Sequence, residues 1–424
     1  MIAAAFWALT RIAGQKLVAA AVFVVMARLL DPAELGLAVI AQAIVLLAVS
    51  ALRAVTDAVI QAEDATEEFL SSLFWAALGG GLGLALTFLL AAPLLAAIFG
   101  QPDLAPLIQG LTPLCLLIAL SVVPEGLLRR HLRFRSLALC EGASFLAGGV
   151  LAVLLALHGW GVWSLIVYVL TAQALFTAAL WPVWRPSLRF SSTALRRALP
   201  LAASIGGMNL LNHANARIMD VALGLFFGPV LAAQYRVAHQ LLDLVTHVTL
   251  MPLQSLALPV LSRLQHDPRH LAETFLALIR KAALLVFPVF LGLAALMPWF
   301  LPLLFGETWR DSVTIAQILC LIAGPYVILF FALPALTALG KARQALSATA
   351  LQAGLNLLAV AAAAPFGPLA VAGAHVARAH VTAPYTLWLL RRHAGLCPLQ
   401  LLRILAPPFC FAAVPAILAS LVLF

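Results

Sequence analysis

Long apolar runs follow one another along almost the whole chain, and short clusters of charged, glycine and proline residues separate them. Each run continues for about 20 residues, the length at which an α-helix crosses the ~30 Å hydrocarbon core of a bilayer. A transmembrane barrel would instead show short segments of alternating polarity. The pattern therefore predicts about thirteen membrane-spanning helices, starting near residues 6, 35, 69, 104, 136, 162, 196, 230, 273, 312, 345, 368 and 400.

The composition is that of a chain whose main solvent is lipid. Of 424 residues, 64% are hydrophobic and 10% are charged, whereas soluble proteins average about 25% charged residues. No long polar stretch remains for a soluble domain, which excludes a tethered enzyme. The five cysteines lie in or beside apolar runs and are interpreted as small hydrophobic residues rather than disulfides or metal ligands. The first apolar segment continues into an ordinary span, so no removable signal peptide is expected.

Lysine and arginine are distributed unevenly between alternate loops. The loops after spans 4, 6, 8, 10 and 12 hold 17 of these residues, and the loops after the odd-numbered spans hold 2, Arg28 and Arg310. Because lysine and arginine are retained on the cytoplasmic side, this bias predicts a cytoplasmic N-terminus. The acidic loop at residues 63–68 is an exception, but acidic residues have little weight in topology.

Weak self-similarity suggests an internal duplication. Pro32 aligns with Pro229, and Phe99-Gly100 aligns with Phe305-Gly306, in the same order and at similar offsets of about 200 residues. We therefore expect two six-helix lobes, residues 1–190 and 191–393, around a central cavity. Residues 394–424 then form one additional C-terminal transmembrane helix.

Several stretches resemble the oligosaccharide-lipid flippases, or polysaccharide exporters, of the multidrug/oligosaccharidyl-lipid/polysaccharide exporter superfamily. They are structural signatures that occur in family order along nearly the whole chain: residues 27–37 (ARLLDPAELGL), 127–134 (LLRRHLRF), 159–165 (GWGVWSL), 259–265 (PVLSRLQ) and 304–309 (LFGETW). The resemblance implies alternating access that moves a polyprenyl-diphosphate-linked oligosaccharide from the cytoplasmic to the periplasmic leaflet of a bacterial inner membrane. Lipopolysaccharide or exopolysaccharide biosynthesis is the implied context.

Charged side chains within the spans indicate where function should lie, because each costs roughly 2.5–3.5 kcal/mol at the centre of a membrane helix. Spans 7 and 8 each carry a polar stripe on one face. Arginine pairs bidentately with phosphate oxygens and stays charged. The candidate substrate-binding residues are Arg53, Asn209, His213, Arg217, Arg236, His239 and Gln240.

The same residues allow a structural interpretation. Arg53 with Asp57 and Arg217 with Asp220 have the spacing of ion pairs within a helix. Asp57, Asp220 and Asp243 are also candidates for coupling transport to H⁺ or Na⁺, because a carboxylate in a low dielectric is easily protonated. Both interpretations stay open. Arg378, alone in span 12, could line the cavity or extend towards the membrane surface.

The basic cluster from Arg129 to Arg135 has two interpretations as well. It could bind the lipid donor, or it could serve topology and contact anionic lipid headgroups at the cytoplasmic face. His266, Asp267 and His270 lie close together, but Pro268 interrupts them, so a metal site is not expected. No catalytic residue, cofactor or nucleic-acid partner is predicted.

Three alternative functions remain. A multidrug antiporter or a peptidoglycan-precursor flippase belongs to the same superfamily, although an exporter of organic cations favours an acidic cavity and the spans are at least as basic as acidic. A membrane-embedded polymerase or glycosyltransferase is the alternative from another class. Such enzymes typically need a long external loop with catalytic residues, and the external loops are short. The chain is therefore expected not to be an enzyme.

Overall fold

The computed structural model describes residues 2–62, 65–188, 191–264, 267–396, 400–401 and 403–412. Within these residues the structure contains helices and no strands, which confirms the predicted all-α class. Sixteen helices run in chain order: α1 (Ile2–Leu29), α2 (Pro32–Val49), α3 (Ala54–Gln61), α4 (Glu67–Phe99), α5 (Leu104–Gly110), α6 (Thr112–Arg130), α7 (Phe134–Leu157), α8 (Trp163–Leu180), α9 (Ser192–Phe227), α10 (Pro229–Thr249), α11 (Met251–Ser262), α12 (Pro268–Phe305), α13 (Ser312–Cys320), α14 (Ala323–Ala338), α15 (Ala342–Ala363) and α16 (Pro368–Ala394). A shorter apolar helix follows at Arg403–Ala412.

A helical segment begins within a few residues of each predicted span start. Seven helices or continuous helix pairs in the described part of the chain are long and apolar enough to cross a membrane, or eight if the bent pair α13 and α14 counts as one span. The angle in that pair is 55°. The predicted last span, residues 400–424, lies largely outside the described residues, as do Glu63, Asp64, His266 and Cys397.

The helix ends follow local sequence. Pro32 and Pro229 are each the first residue of a helix. The N–H at this position has no hydrogen-bond partner within the helix, so proline, which lacks the N–H, is tolerated there. Thr66 caps α4 by accepting a hydrogen bond from the Phe69 N–H at 3.3 Å, and two glutamates follow in the first turn. Negative charge at a helix N-terminus is stabilised by the helix dipole. This placement gives Glu67 and Glu68 a local structural reason.

The second predicted span is not one continuous helix. Residues 50–53 form a turn between α2 and α3, in which the N–H groups of Ala51 and Leu52 bond three residues back, to Ala48 and Val49. This tighter winding changes the face on which later side chains lie. Arg53 therefore stands at the break rather than on the helix face predicted to carry it.

The chain divides into an N-terminal unit, Met1–Ala233, and a C-terminal unit, Gln234–Phe424. In the N-terminal unit, α7 packs between α1 and α8, α6 packs against α3, α4 and α8, and α9 packs against α2, α3 and α4. In the C-terminal unit, α14 packs against α11, α12 and α16, and α15 packs against α16. Each unit has an apolar core of its own, with the following among the largest fully buried side chains: Phe74, Ile40 and Leu104 in the first, and Phe275, Phe290, Phe331 and Trp309 in the second.

Gly36 marks a close backbone approach inside the N-terminal unit. A Cβ atom at this position would lie 1.8 Å from the carbonyl oxygen of Pro229, a distance that requires backbone movement. We expect Gly36→Ala to lower the free energy of unfolding by about 1–3 kcal/mol, the range for overpacking. Thermal unfolding in detergent measures the change.

Gly79 on α4 provides the matched control, because a Cβ there meets no atom within 4 Å. Alanine is a better helix former than glycine by about 1 kcal/mol, so Gly79→Ala should leave stability unchanged or raise it. Equal stability losses in both variants would contradict the steric explanation for Gly36.

Candidate functional site

A cationic group in the N-terminal unit surrounds His213 on α9. Lys16 from α1, Arg53 from the turn between α2 and α3, and Arg217 from α9 all lie within electrostatic range of the imidazole. Lys16, Arg53 and His213 are exposed, and the Arg217 side chain is 30% exposed. We call Lys16, Arg53, His213 and Arg217 the cationic cluster. The structure thus brings together three of the predicted binding residues, and Lys16 joins them.

The two acids nearest this cluster have different partners. Asp220 is 2% exposed and pairs with Arg217, with 3.2 Å between Oδ2 and Nη1, as the sequence predicted. Asp57 instead accepts a hydrogen bond from Asn209 Nδ2 at 3.2 Å. Among the described residues Arg53 and Asp57 form no ion pair, so the predicted pairing is wrong. Arg53 directly precedes α3 with helical backbone angles, so the spacing is kept, and the Asp57 carboxylate contacts Asn209 instead.

The polar stripe of α10 forms a connected set in the C-terminal unit. Arg236 Nη2 donates to Gln240 Oε1 at 2.9 Å, and Arg236 Nη1 lies 3.8 Å from Asp243 Oδ2. His239 Nδ1 lies 3.3 Å from the same Asp243 oxygen. Arg236 therefore has a carboxylate partner two turns along its own helix, and its charge is balanced locally.

This set continues into α15 and α16 through Asn356 and His375, which were not predicted from the sequence. The rings of His239 and His375 meet edge to face with their centroids 6.5 Å apart. His375 Nδ1 lies 3.0 Å from Asn356 Oδ1. Both new residues are buried, and each is isolated among apolar neighbours in sequence. Only the packing of α10, α15 and α16 reveals that they belong to one polar group.

A second buried set lies between α1, α6 and α7. Arg11 Nη2 lies 3.1 Å from Glu125 Oε1, and Arg11 Nε donates to Glu141. Arg129 also pairs with Glu125, one turn away on α6. We call Arg11, Glu125, Arg129 and Glu141 the buried charge network. Sequence reasoning missed both glutamates, although the spacing of Glu125 and Arg129 is that of a helical ion pair.

The network changes the interpretation of the basic cluster after α6. Arg129 is engaged by Glu125, and Arg130 Nη1 donates to the carbonyl oxygens of Val59, at 3.1 Å, and Ala62. Arg133 and Arg135 remain exposed, and the Arg135 guanidinium lies 5.6 Å from the centroid of the Trp7 ring. Part of this cluster therefore packs the N-terminal unit.

Asp267 has a structural role at the start of α12. It caps the helix by accepting a hydrogen bond from the His270 backbone N–H at 3.1 Å, and it lies 2.6 Å from the His270 ring. The backbone N–H and the imidazole hold the pKa of this carboxyl below its ordinary value. In the part of the chain that the structure describes, no group of three or more metal-binding side chains occurs.

Comparison with known proteins agrees with this fold. A family model described as polysaccharide biosynthesis protein matches residues 25–314. The lipopolysaccharide biosynthesis protein WzxC of Escherichia coli (strain K12) is 27% identical over 310 residues, which cover 70% of this chain and 62% of WzxC. The chain spans about three fifths of the length of the curated relatives it matches.

Two solved structures share the fold at low sequence identity. The lipid II flippase MurJ, in an inward closed conformation, has a TM-score of 0.80 and 14% identity, covering 100% of this chain and 98% of that chain. An inward-facing multidrug resistance MATE family transporter has a TM-score of 0.69 and 15% identity, covering 92% and 98%. The fold is therefore common to transporters with different cargoes.

The family match covers more than half of the chain and agrees with the resemblance inferred from sequence. Seven or more apolar helices satisfy the length requirement for membrane spans. This multi-pass membrane protein belongs to the polysaccharide biosynthesis protein family.

Proposed function

We propose that the protein is a flippase that moves a polyprenyl-diphosphate-linked oligosaccharide from the cytoplasmic to the periplasmic leaflet by alternating access. The cationic cluster is the observation that carries this proposal. Three cations gathered around an exposed imidazole within a hydrophobic chain are costly unless they meet water or an anion. A diphosphate supplies two adjacent anionic groups that guanidinium and ammonium donors bind well.

Each unit contains its own set of proposed substrate-binding residues. Arg53 and Arg217 attract the diphosphate, and Asn209 and His213 offer hydrogen bonds beside them. In the C-terminal unit, Arg236, His239 and Gln240 are the proposed substrate-binding residues. The sugar headgroup stays hydrated while the polyprenyl tail stays in lipid. Neither part of the molecule is therefore transferred into an unfavourable solvent.

Three carboxylates are proposed for ion coupling. Asp57 and Asp220 lie beside the cationic cluster, and Asp243 joins Arg236 and His239. Protonation or Na⁺ binding at any of these carboxylates neutralises its negative charge and so changes its attraction to the neighbouring donors. H⁺ and Na⁺ are both compatible with carboxylate chemistry.

We further propose two six-helix lobes, residues 1–190 and 191–393, with residues 394–424 as an additional transmembrane helix. The distribution of lysine and arginine supports a cytoplasmic N-terminus in a bacterial inner membrane. Arg133 and Arg135 are exposed and are suited to contact anionic lipid headgroups at the cytoplasmic face. The protein acts as a transporter and not as an enzyme.

Transport by purified protein in proteoliposomes tests the proposal. We expect transfer of a fluorescent polyprenyl-diphosphate oligosaccharide between leaflets, and little transfer of the matching lipid in which a neutral linkage replaces the diphosphate. Export of a cationic dye is the parallel assay. Dye export without lipid transfer would contradict the proposal and support a multidrug antiporter.

A further inference from the structure

The C-terminal unit buries a guanidinium in the hairpin formed by α15 and α16. Arg378, near the middle of α16, is 8% exposed, so it does not extend to the membrane surface. Among the described residues its Nε and Nη1 atoms have no hydrogen-bond partner, and no carboxylate forms an ion pair with it. A buried charge without a counter-charge is strongly unfavourable. The side chain therefore requires a negative partner.

A second buried donor lies at the same level. The contact between Asn356 and His375 fixes the register of the two antiparallel helices. Gln352 precedes Asn356 by one turn, and Ala379 follows His375 by one turn, so Gln352 lies level with Arg378 and Ala379. Gln352 is 9% exposed, and its Nε2 atom also has no hydrogen-bond partner within the described part of the chain.

The other groups near Arg378 supply no free carboxylate. Tyr235, Tyr326 and His375 lie within electrostatic range of its guanidinium. Asp243 is within electrostatic range of Tyr326, but this acid contacts Arg236 and His239. Among the described residues, the buried N–H groups of Arg378 and Gln352 therefore lie in a region where no carboxylate forms an ion pair with the guanidinium.

We propose that Arg378 and Gln352 bind a small monovalent anion of the halide class, with chloride as the physiological occupant. Both side chains are more than nine-tenths buried, so a glycan headgroup is too large for the site. Arg378 also borders a groove of about 440 Å³ whose other lining residues are aliphatic. An apolar surrounding favours an anion that loses water easily, which selects chloride over phosphate. Neither Arg378 nor Gln352 belongs to the proposed substrate-binding residues, so the anion site does not depend on which substrate is transported.

Thermal unfolding of the full chain in detergent tests the site. Chloride is exchanged for gluconate at constant ionic strength, so that general screening stays the same. We expect chloride to raise the unfolding midpoint of the wild type by about 2–4 °C, because an anion that binds the folded state stabilises it.

Two variants distinguish this site from other chloride effects. Arg378→Gln removes the charge, and Gln352→Glu supplies an internal carboxylate to Arg378. Both should abolish the chloride-dependent shift. The control Arg343→Gln changes an exposed arginine on α15 and should retain the shift. A wild type insensitive to chloride, or variants that respond as strongly as the wild type, would overturn the proposal.

A crystallographic readout applies even if one variant fails to fold. Crystals of the wild type soaked in bromide should show anomalous density within hydrogen-bond distance of the Arg378 guanidinium. Bromide density confined to other positions would refute the site. Stabilisation by added phosphatidylglycerol or phosphate, with no effect of chloride or bromide, would also overturn it, because the occupant would then be a phosphate group.

Discussion

Replacing Arg53 with glutamine is expected to slow transfer of the lipid-linked oligosaccharide by about tenfold while the protein remains folded. A charge-assisted hydrogen bond contributes about 1.5 kcal/mol or more, and 1.4 kcal/mol corresponds to about tenfold in affinity or rate. Arg53 is exposed, and among the described residues it forms no ion pair with Asp57. Glu125 lies within electrostatic range of Arg53 but forms its ion pairs with Arg11 and Arg129, so we expect only a small loss of stability, which thermal unfolding checks. Initial transfer rates in proteoliposomes measure the effect.

The control for Arg53 is Arg269→Gln. Arg269 is an exposed arginine that pairs with Glu273 at the start of α12, in the C-terminal unit. This variant should transport at the wild-type rate. If Arg53→Gln also transports at the wild-type rate, Arg53 does not bind the diphosphate, and the proposed site in the N-terminal unit loses its main cation.

Arg217 needs a different design because it pairs with a buried acid. Arg217→Gln alone removes a partner of Asp220, so reduced transport could reflect misfolding. The double variant Arg217→Gln with Asp220→Asn keeps hydrogen-bonding groups in similar shapes and removes both charges. We expect this double variant to fold and to transport slowly. Normal transport would identify the pair as structural.

Replacing Glu125 with alanine is expected to lower the free energy of unfolding by about 3–5 kcal/mol, the cost of breaking a buried ion pair from one side. Glu125 is 4% exposed and receives both Arg11 and Arg129. Its removal leaves two guanidinium groups facing a cavity, with Glu141 still bound to Arg11. Chemical or thermal unfolding in detergent measures the loss.

Arg129→Ala is the matched comparison within the same network. The Arg129 side chain is 29% exposed, so water can solvate the carboxylate that it leaves behind, and we expect a much smaller loss of stability. Adding Arg129→Met to Glu125→Ala should restore part of the stability, since it removes the guanidinium left unpaired while Arg11 stays bound to Glu141. Equal losses for Glu125→Ala and Arg129→Ala would contradict the role assigned to burial.

The helical class was predictable from the sequence because solvent imposes it. In lipid every backbone N–H and C=O must find a partner within its own helix, so the apolar runs could adopt little else. The exact helix starts follow from local chemistry, because Pro32, Thr66, Pro229 and Asp267 begin or cap helices in the structure. These features depend on neighbours within one turn.

The candidate site was only partly predictable. The stripes on α9 and α10 follow from helical periodicity, and the pair of Arg217 and Asp220 lies within one helix. The contact of Asp57 with Asn209 joins residues far apart in sequence, and it replaces the pairing of Asp57 with Arg53 that the spacing suggested. His375 and Asn356 gave little sequence signal because the residues directly before and after each are apolar, and their contact joins two helices.

By itself, the sequence determined that this chain is a helical membrane protein, where its helices begin and which residues carry charge into the membrane. Only the tertiary structure decided the partner of each charge. Periodicity fixes the face of a helix on which a side chain lies, but helix packing decides what that face meets. This is why Glu125 on α6 pairs with Arg11 on α1, and why Arg378 is buried rather than extended towards the membrane surface.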